Sequence, residues 1–449
     1  MNLDLATHFA MCGGDAVRDA FAARRAVLPW RHKRSLAPEQ VPQVWAALSE
    51  GGGEAAAGRL AYVNVPFCAN HCLFCGFYRN AHTVDAAERY TALLLEEIAR
   101  DGRLPVTASA PVKALYLGGG TPSAMSADQL TRVLAALRRE LPLSDDCEVT
   151  LEGRITHFDV EKIEACVQAG VNRISIGVQT FDTRVRRRQG RKSSREQVLR
   201  FLESMCARGD VVVVIDLLYG LPGQTPAVWR EDLLTALALG PDGVDLYGLN
   251  VIPGTPLHKS VAAGKFAATS SLPDLGDMYR SGKRLFDEAG WEQISNSHWR
   301  RTPRERSRYN LRIKQGCDCL AYGSGAGGQL GRHSYMVTGD LRRYAEAVER
   351  GDKPLSGMQI ADALQSARHW MTAGFEVGAL DVAGFRELAP AGCHDACDAL
   401  LRQWQSAGLL RYDGSVATLS TAGRFWYSNL IFAFDDVLAD APCTEVGGK

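Results

Sequence analysis

From residue 60 onward, short apolar β-branched runs alternate with longer amphipathic stretches. The runs are 61–65 (AYVNV), 113–117 (KALYL), 147–152 (CEVTLE), 172–177 (NRISIG), 211–218 (VVVVIDLL) and 244–249 (VDLYGL). Helical periodicity fills the intervals, as in 85–101, 127–140 and 194–208. Strands separated by helices of that length predict βαβ units and a parallel sheet. Six such units with no dinucleotide fingerprint predict an α/β fold, a partial (β/α)6 barrel over 58–255. A barrel gathers its chemistry where strands end and βα loops begin.

Beyond about residue 255 the rhythm fades. Residues 256–355 read as a barrel extension and substrate-side segment: a helix near 275–289, an Arg-dense polar stretch and a Gly-rich loop, Gly323–Gly328. Residues 356–435 read as a separate α+β, winged-helix-like module. Its helices fall near 358–374 and 394–407. A β-hairpin then turns at Asp413-Gly414 and a short helix follows. The mixed charge of this module does not indicate DNA binding. Residues 436–449 form a tail. Residues 1–57 form an Ala/Arg/Gly-rich N-terminal extension, packed on the main domain or partly mobile. Trp30, Lys33 and Arg34 are candidates for an anionic ligand there, against the commoner reading of a solvated basic stretch.

Composition narrows the class. Of the 449 residues, 46% are hydrophobic and 23% charged, which excludes global disorder. Lys+Arg 51 balances Asp+Glu 51, so charge offers no hint of a nucleic-acid or membrane partner. There is no apolar run long enough to span a bilayer, and the N-terminus lacks a secretory pattern, so a cytoplasmic location is expected. Twelve cysteines in a reducing compartment point to metal or redox chemistry rather than disulfides.

Three of them sit within eight residues. Cys68, Cys72 and Cys75 form C-x-x-x-C-x-x-C directly after the first strand. Thiolates suit an Fe–S cluster or zinc. Three thiolates on a [4Fe–4S] cube leave one iron free for a small molecule. A zinc site needs a fourth ligand, for which His71 beside Cys72 is poorly placed, and chance cysteines are the remaining alternative. Polar residues also punctuate the later strand ends. The second strand ends in Gly118-Gly119-Gly120-Thr121-Pro122, where glycines admit close approach and Thr121 adds a hydroxyl. Glu152 ends the third strand, Gln179 follows the fourth, Asp216 interrupts an aliphatic fifth, and Asn250 closes the sixth. A buried Asp216 needs a polar partner, for which a ribose diol, an ion pair or a helix cap would serve.

Cys68/Cys72/Cys75 on the first βα loop of such a barrel resembles the radical S-adenosylmethionine (SAM) superfamily. The resemblance implies a [4Fe–4S] cluster whose open iron chelates SAM and whose electron cleaves the sulfonium. Over about residues 60–430 the chain resembles the coproporphyrinogen dehydrogenase-like branch. In that pattern Tyr62, Phe74, Gly119, Gly120, Thr121, Glu152, Gln179, Arg191, Asp216 and Asn250 fall at positions lining a site for SAM, of which this branch holds two molecules.

The branch's dehydrogenases continue C-G-C and its heme chaperones C-D-F, whereas this chain reads Cys75-Gly76-Phe77-Tyr78. That variant resembles the ChuW/HutW group, the radical SAM methyltransferases of anaerobic heme degradation (anaerobilin synthases). Looser agreement comes from Glu152-Gly153-Arg154, His298-Trp299-Arg300, Arg304-Glu305-Arg306 and Arg308-Tyr309-Asn310. The resemblance implies methylation and opening of the heme macrocycle without oxygen, giving a linear tetrapyrrole and free iron. A flavodoxin-like protein or small reductase would be the electron donor. The alternatives are a heme-binding chaperone with this fold and an oxygen-independent coproporphyrinogen oxidase. Heme would need apolar walls and cations for its propionates, for which Trp299, Arg300, Arg301, Arg304, Arg306, Arg308 and Tyr309 are candidates. Cys317 and Cys319, with Tyr309, are candidate catalytic residues as hydrogen donors or iron ligands, against buried small residues at a turn. Cys147, Cys166, Cys206, Cys393 and Cys397 read as core.

Overall fold

A computed structural model describes residues 3–27, 31–51, 58–266 and 269–441. Trp30, the glycines at 52–53 and tail residues 442–449 lie outside the described residues.

The six expected strands form at β1 (Arg59–Val65), β2 (Val112–Gly119), β3 (Leu143–Gly153), β4 (Arg173–Gln179), β5 (Val212–Tyr219) and β6 (Gly243–Gly248). Each pairs in parallel with the next. Helices α1 (Val84–Asp101), α2 (Ala127–Glu140), α3 (Val160–Gln168), α4 (Arg195–Arg208) and α5 (Pro226–Leu239) occupy the crossovers, and α6 (Leu272–Glu288) follows β6. Local sequence sets their limits. Ser126 with Gln129 and Ser194 with Gln197 close reciprocal caps at helix starts. Gly209 and Gly240 end α4 and α5 in the left-handed conformation.

Alternation along the strands assigns the two faces. Ala61, Val63 and Val65, with Leu115, Leu117, Leu151, Ile174, Ile176, Val213 and Ile215, are buried in the main core. The intervening positions, Tyr62, Asn64, Tyr116, Gly118, Glu152, Ser175 and Asp216, turn to the inside of the barrel.

The sheet continues past both ends of the barrel. β7 (His298–Arg300) pairs antiparallel with β6. On the other side β8 (Cys319–Tyr322) runs parallel to β1, followed by β9 (Gly327–Leu330), β10 (His333–Val337) and β11 (Leu355–Ala361) as antiparallel neighbours. The expected helix near 358–374 is thus corrected. Residues 358–361 belong to β11, and the helix is α8 (Gln365–Val377), after a helix α7 at Arg308–Lys314. A domain limit at 356 would cut β11, so the module begins after it.

That module holds α8, α9 (His394–Ser406), a three-stranded sheet containing the expected hairpin at 410–419, and α10 (Thr421–Asp440). The closing helix is twenty residues long rather than short, and it absorbs the first five residues of the expected tail. Apolar side chains surround it, including Phe425, Trp426, Leu430, Phe434, Val437 and Leu438. The N-terminal segment straps this helix. Trp426 Nε1 donates to Ala16 O at 3.0 Å, the Arg25 amide to Asn429 Oδ1 at 2.9 Å and the Leu3 amide to Asp440 Oδ2 at 3.0 Å. Its short strand Lys33–Ser35 edges β11. Among the described residues no helix is long and apolar enough to cross a membrane.

Gly423 sits where α10 meets the hairpin, and a Cβ there would lie 2.0 Å from Leu409 O. Backbone cannot retreat as a side chain can. Gly423→Ala should therefore destabilise the fold by about 1–3 kcal/mol in denaturant titration, opposite in sign to the usual helical Gly→Ala effect.

Candidate active site

The loop after β1 carries the three cysteines. Cys68 and Cys72 are buried and Cys75 is half-buried. Backbone bonds fix the loop: Cys75 N–H to Cys72 O at 3.1 Å, His82 N–H to Cys68 O at 3.1 Å and Leu73 N–H to Gln189 O at 3.2 Å. Thr121 Oγ1 donates to Cys68 Sγ at 3.4 Å, and the Phe77 amide to Cys75 Sγ at 3.3 Å. Burial pushes the Cys68 thiol up, and the Thr121 hydroxyl opposes that shift. His71 stacks on Tyr78 with ring centroids 4.2 Å apart. Among the described residues no three His, Cys, Asp or Glu side chains close on one metal ion. A cube gives each thiolate its own iron, so its ligands need not converge on a point.

The glycine triplet after β2 is zipped to this loop. Gly120 N–H bonds Val65 O and Thr121 N–H bonds Phe67 O, both at 2.8 Å. A Cβ on Gly120 would lie 2.5 Å from Phe67 O. Gly119, at φ +106°, would drive one to 2.1 Å from Asn64 Oδ1. The close approach these glycines permit is to the chain's own cysteine loop, which places Thr121 against Cys68.

Around them the strand ends bring several expected residues together. Tyr116 donates to Glu152 Oε1 at 2.7 Å. Gln179 holds φ +65° at a bulge between β4 and β5, an uncommon conformation for a side-chain-bearing residue, and its Oε1 is buried without a hydrogen-bond partner. Arg191 donates twice to Gly177 O, at 2.9 and 2.8 Å, while its Nε is buried without a partner. Burial pulls the Arg191 pKa down, and the field of Cys72 opposes that shift. Asp216, with Ser175 Oγ at 3.5 Å, is pushed up to about 7 by burial and by neighbouring Asp245 and Glu152. Tyr62 stacks on Tyr116 at 6.1 Å. Phe74 packs with Val185, Leu221, Leu249 and Leu257 beneath the loops. Asn250 is exposed and opens instead on a separate recess of about 350 Å³ beside Asp245, Tyr247 and Glu376.

The structure sets Tyr309, Cys317 and Cys319 low in the barrel. Cys319 faces Leu60 at the start of β1, whereas the cysteine loop leaves its far end. Tyr309 Oη lies 3.9 Å from Cys319 Sγ, and burial pushes that thiol up to about 12. Cys317 borders the same apolar cluster. A column of rings links the two ends, with Tyr309 4.8 Å from Tyr116 and 6.0 Å from Tyr62.

The expected cationic wall is corrected. Arg300 pairs with Glu292 at 2.7 Å, Arg308 with Asp146 at 2.7 Å and Arg304 with Asp242 at 3.9 Å, while Arg301 donates to Pro241 O at 3.1 Å. Trp299 is fully buried against Phe286. Carboxylates nearby in the fold claim these cations, and Arg306 is left exposed.

Sequence reasoning missed a charged network inside the barrel. Arg173 grips Glu305 at 2.9 and 3.1 Å; His298 lies 3.3 Å from Glu305 and 2.9 Å from Asp245. Polar residues at inward positions of apolar strands, Arg173 in NRISIG and Asp245 in VDLYGL, were the available signal. Despite burial, Asp245 and Glu305 raise His298 to about 9, and Arg173 and His298 hold Glu305 down at about 2. Asp216 and His298 both bind protons more tightly than their ordinary values of 3.8 and 6.5. The folded state then holds more protons than the unfolded one, so stability falls with rising pH, from Asp216 between about 4 and 7 and from His298 between about 6.5 and 9. Thermal midpoints should decline across pH 6.5–9, and His298→Gln should flatten that decline.

Residues 62–236 match the Radical SAM superfamily. The chain is 43% identical over 437 residues to anaerobilin synthase of Escherichia coli O157:H7, covering 97% of this chain and 96% of that one. It is 25% identical over 376 residues to the heme chaperone HemW of Bacillus subtilis (strain 168), covering 83% and 98%. Its fold superposes on coproporphyrinogen III oxidase (HemN) of Escherichia coli, a radical SAM enzyme, with TM-score 0.77 at 22% identity, covering 92% and 97%.

Proposed function

Because the chain belongs to the radical SAM superfamily and, within it, to the anaerobilin synthase family, we propose that it is a methyltransferase that opens the heme macrocycle without oxygen. The product is a linear tetrapyrrole and the iron is released. The near-full-length likeness to anaerobilin synthase carries this reading.

Cys68, Cys72 and Cys75 hold the [4Fe–4S] cluster. The donor set fits, since three soft sulfurs lie on one short loop at the mouth of the barrel. SAM fits beside it, since Gln179 Oε1 and Arg191 Nε are buried polar atoms without protein partners. Bound there, the cluster and SAM supply reductive cleavage of a sulfonium, and a second SAM supplies the methyl group. Arg191 orients the SAM carboxylate, Glu152 and Gln179 its donors, and Asp216 a ribose diol. Gly119, Gly120 and Thr121 fix the edge of the site, with Tyr62 and Phe74 at its margins, while Asn250 opens on the neighbouring recess. Exposed Phe77 and Ile252, brought together at Gly76, offer an apolar ledge for a flat macrocycle. Deeper in the barrel Cys319, beside Tyr309 Oη, or Cys317 would donate a hydrogen atom to a product radical that reaches it, and one electron from the low-potential donor with a proton would return the thiyl to thiol. A low-potential flavodoxin-like protein or small reductase delivers the electrons.

Anaerobic incubation of the reconstituted protein with heme, SAM and a low-potential reductant tests the reading. Loss of the Soret band with a methylated product is expected. A stable heme complex with SAM untouched would instead mark a chaperone.

A further inference from the structure

Between the N-terminal segment, the antiparallel extension of the sheet and the C-terminal module lies a chamber of about 1610 Å³. Small-ligand sites commonly span about 300–1,000 Å³, so this one takes a large ligand. It is bounded by the strand Lys33–Ser35, the helix Val41–Glu50, β9–β11, and helices α7, α8 and α10. Asp101, at the C-terminal end of α1, and Cys319, opposite the start of β1, also line it, so the part holding Cys319 lies by the N-terminal end of the barrel strands.

Charged side chains rim much of it, and one stretch of wall beside α8 and the helix Val41–Glu50 is apolar. Trp45 meets Tyr335 edge to face at 5.1 Å, with Met358, Met371 and Ile431 nearby. Into it α8 brings His369. No hydrogen bond holds the His369 ring among the described residues. The chain is shaped around it: a Cβ on Gly316 would lie 1.8 Å from His369 Nδ1, and Gly316 also has φ +81°. Lys33 stands in the same chamber, with Nζ 2.6 Å from Ser334 Oγ and no carboxylate partner among the described residues. Arg368 is committed to Asp362 and Asp435.

We propose that this chamber is a second station for heme, remote from the reacting site, in which His369 ligates the iron and Lys33 meets a propionate. The inference rests on heme being this protein's substrate. A large flat ligand matches the apolar stretch of wall, a cation without a carboxylate partner among the described residues matches a propionate, and an imidazole free of protein hydrogen bonds matches a metal. Burial, with Lys33 and Arg368, holds His369 down at about 4, so the ring is the neutral form that binds iron. Cys319 also faces the chamber, but its high pKa keeps it a thiol and a poor ligand.

The test titrates heme anaerobically into the cluster-loaded full-length protein. In wild type the ferrous complex should show an iron–imidazole stretching band in resonance Raman spectra. His369→Ala and His369→Gln should lose the band and bind heme roughly tenfold or more weakly, and free imidazole should restore the band to His369→Ala. Lys33→Gln should keep the band and weaken binding about two- to fivefold. Iron-free protoporphyrin should not distinguish wild type from His369→Ala. A band and an affinity unchanged in both His369 variants, with thermal midpoints intact, overturn the inference. If wild type still consumes heme in that case, the proposed function stands without it. A wild type that neither binds nor consumes heme overturns both.

Discussion

Replacing Cys72 by Ala should remove, in one step, the brown chromophore of the anaerobically reconstituted protein and its cleavage of SAM. The side chain is 1% exposed, in a loop pinned by backbone bonds to Gln189 and from His82. A substitute ligand would have to reach that spot. His71 is held on Tyr78, and Cys319 sits at the other end of the barrel. The cube would keep two protein thiolates, and activity should fall to background. Two controls sharpen the outcome. Cys397→Ala alters a buried thiol of the C-terminal module and should keep both chromophore and cleavage. Thr121→Val removes the hydroxyl donated to Cys68 and should keep the chromophore. SAM cleavage surviving in Cys72→Ala would sink the assignment of the cluster to this loop.

The second large effect concerns stability. Glu305 is fully buried and balances Arg173 and His298 together. Glu305→Ala leaves two buried cations facing each other, with Asp245 remaining on His298 and the more distant field of Glu148 on Arg173. Breaking a buried pair from one side costs about 3–5 kcal/mol, more than the pair itself contributes over an apolar replacement. The thermal midpoint should drop by several degrees, and the loss should be greatest between about pH 4.5 and 6.5, where in folded and unfolded chains alike Glu305 is ionised and His298 charged. Adding Arg173→Met to Glu305→Ala should recover part of the loss. A midpoint within experimental scatter of wild type would show that the network is hydrated rather than sealed.

The barrel was legible because its strands are buried on the helix side and rich in Val, Ile and Leu, as in VVVVIDLL at 211–218. Strands such as LSGMQIA at 355–361 were not. They alternate weakly, carry Gly, and belong to an antiparallel extension whose pairing partners lie far along the chain. The cysteine spacing and strand-end polar residues were readable because position on a barrel strand dictates which end a side chain serves. The Arg-dense stretch misled for the opposite reason. A guanidinium's partner is chosen in three dimensions, and Glu292, Asp146 and Asp242 could not be matched to Arg300, Arg308 and Arg304 from order alone. The glycine triplet shows a subtler limit. Its need for backbone freedom was foreseeable, while the neighbour that imposes it was not.

The strap joining residues 3–25 to α10 has a consequence for biosynthesis. Leu3, Ala16 and Arg25 find their hydrogen-bond partners at Asp440, Trp426 and Asn429. This segment, synthesised about four hundred residues before α10, therefore waits for that helix before it can be buried. Until then Val17 and Ala20, both sequestered in the finished molecule, stay open to water and to other nascent chains. A chain terminated before α10 would leave this segment without its partner, making the truncated product a ready client for chaperones and proteases.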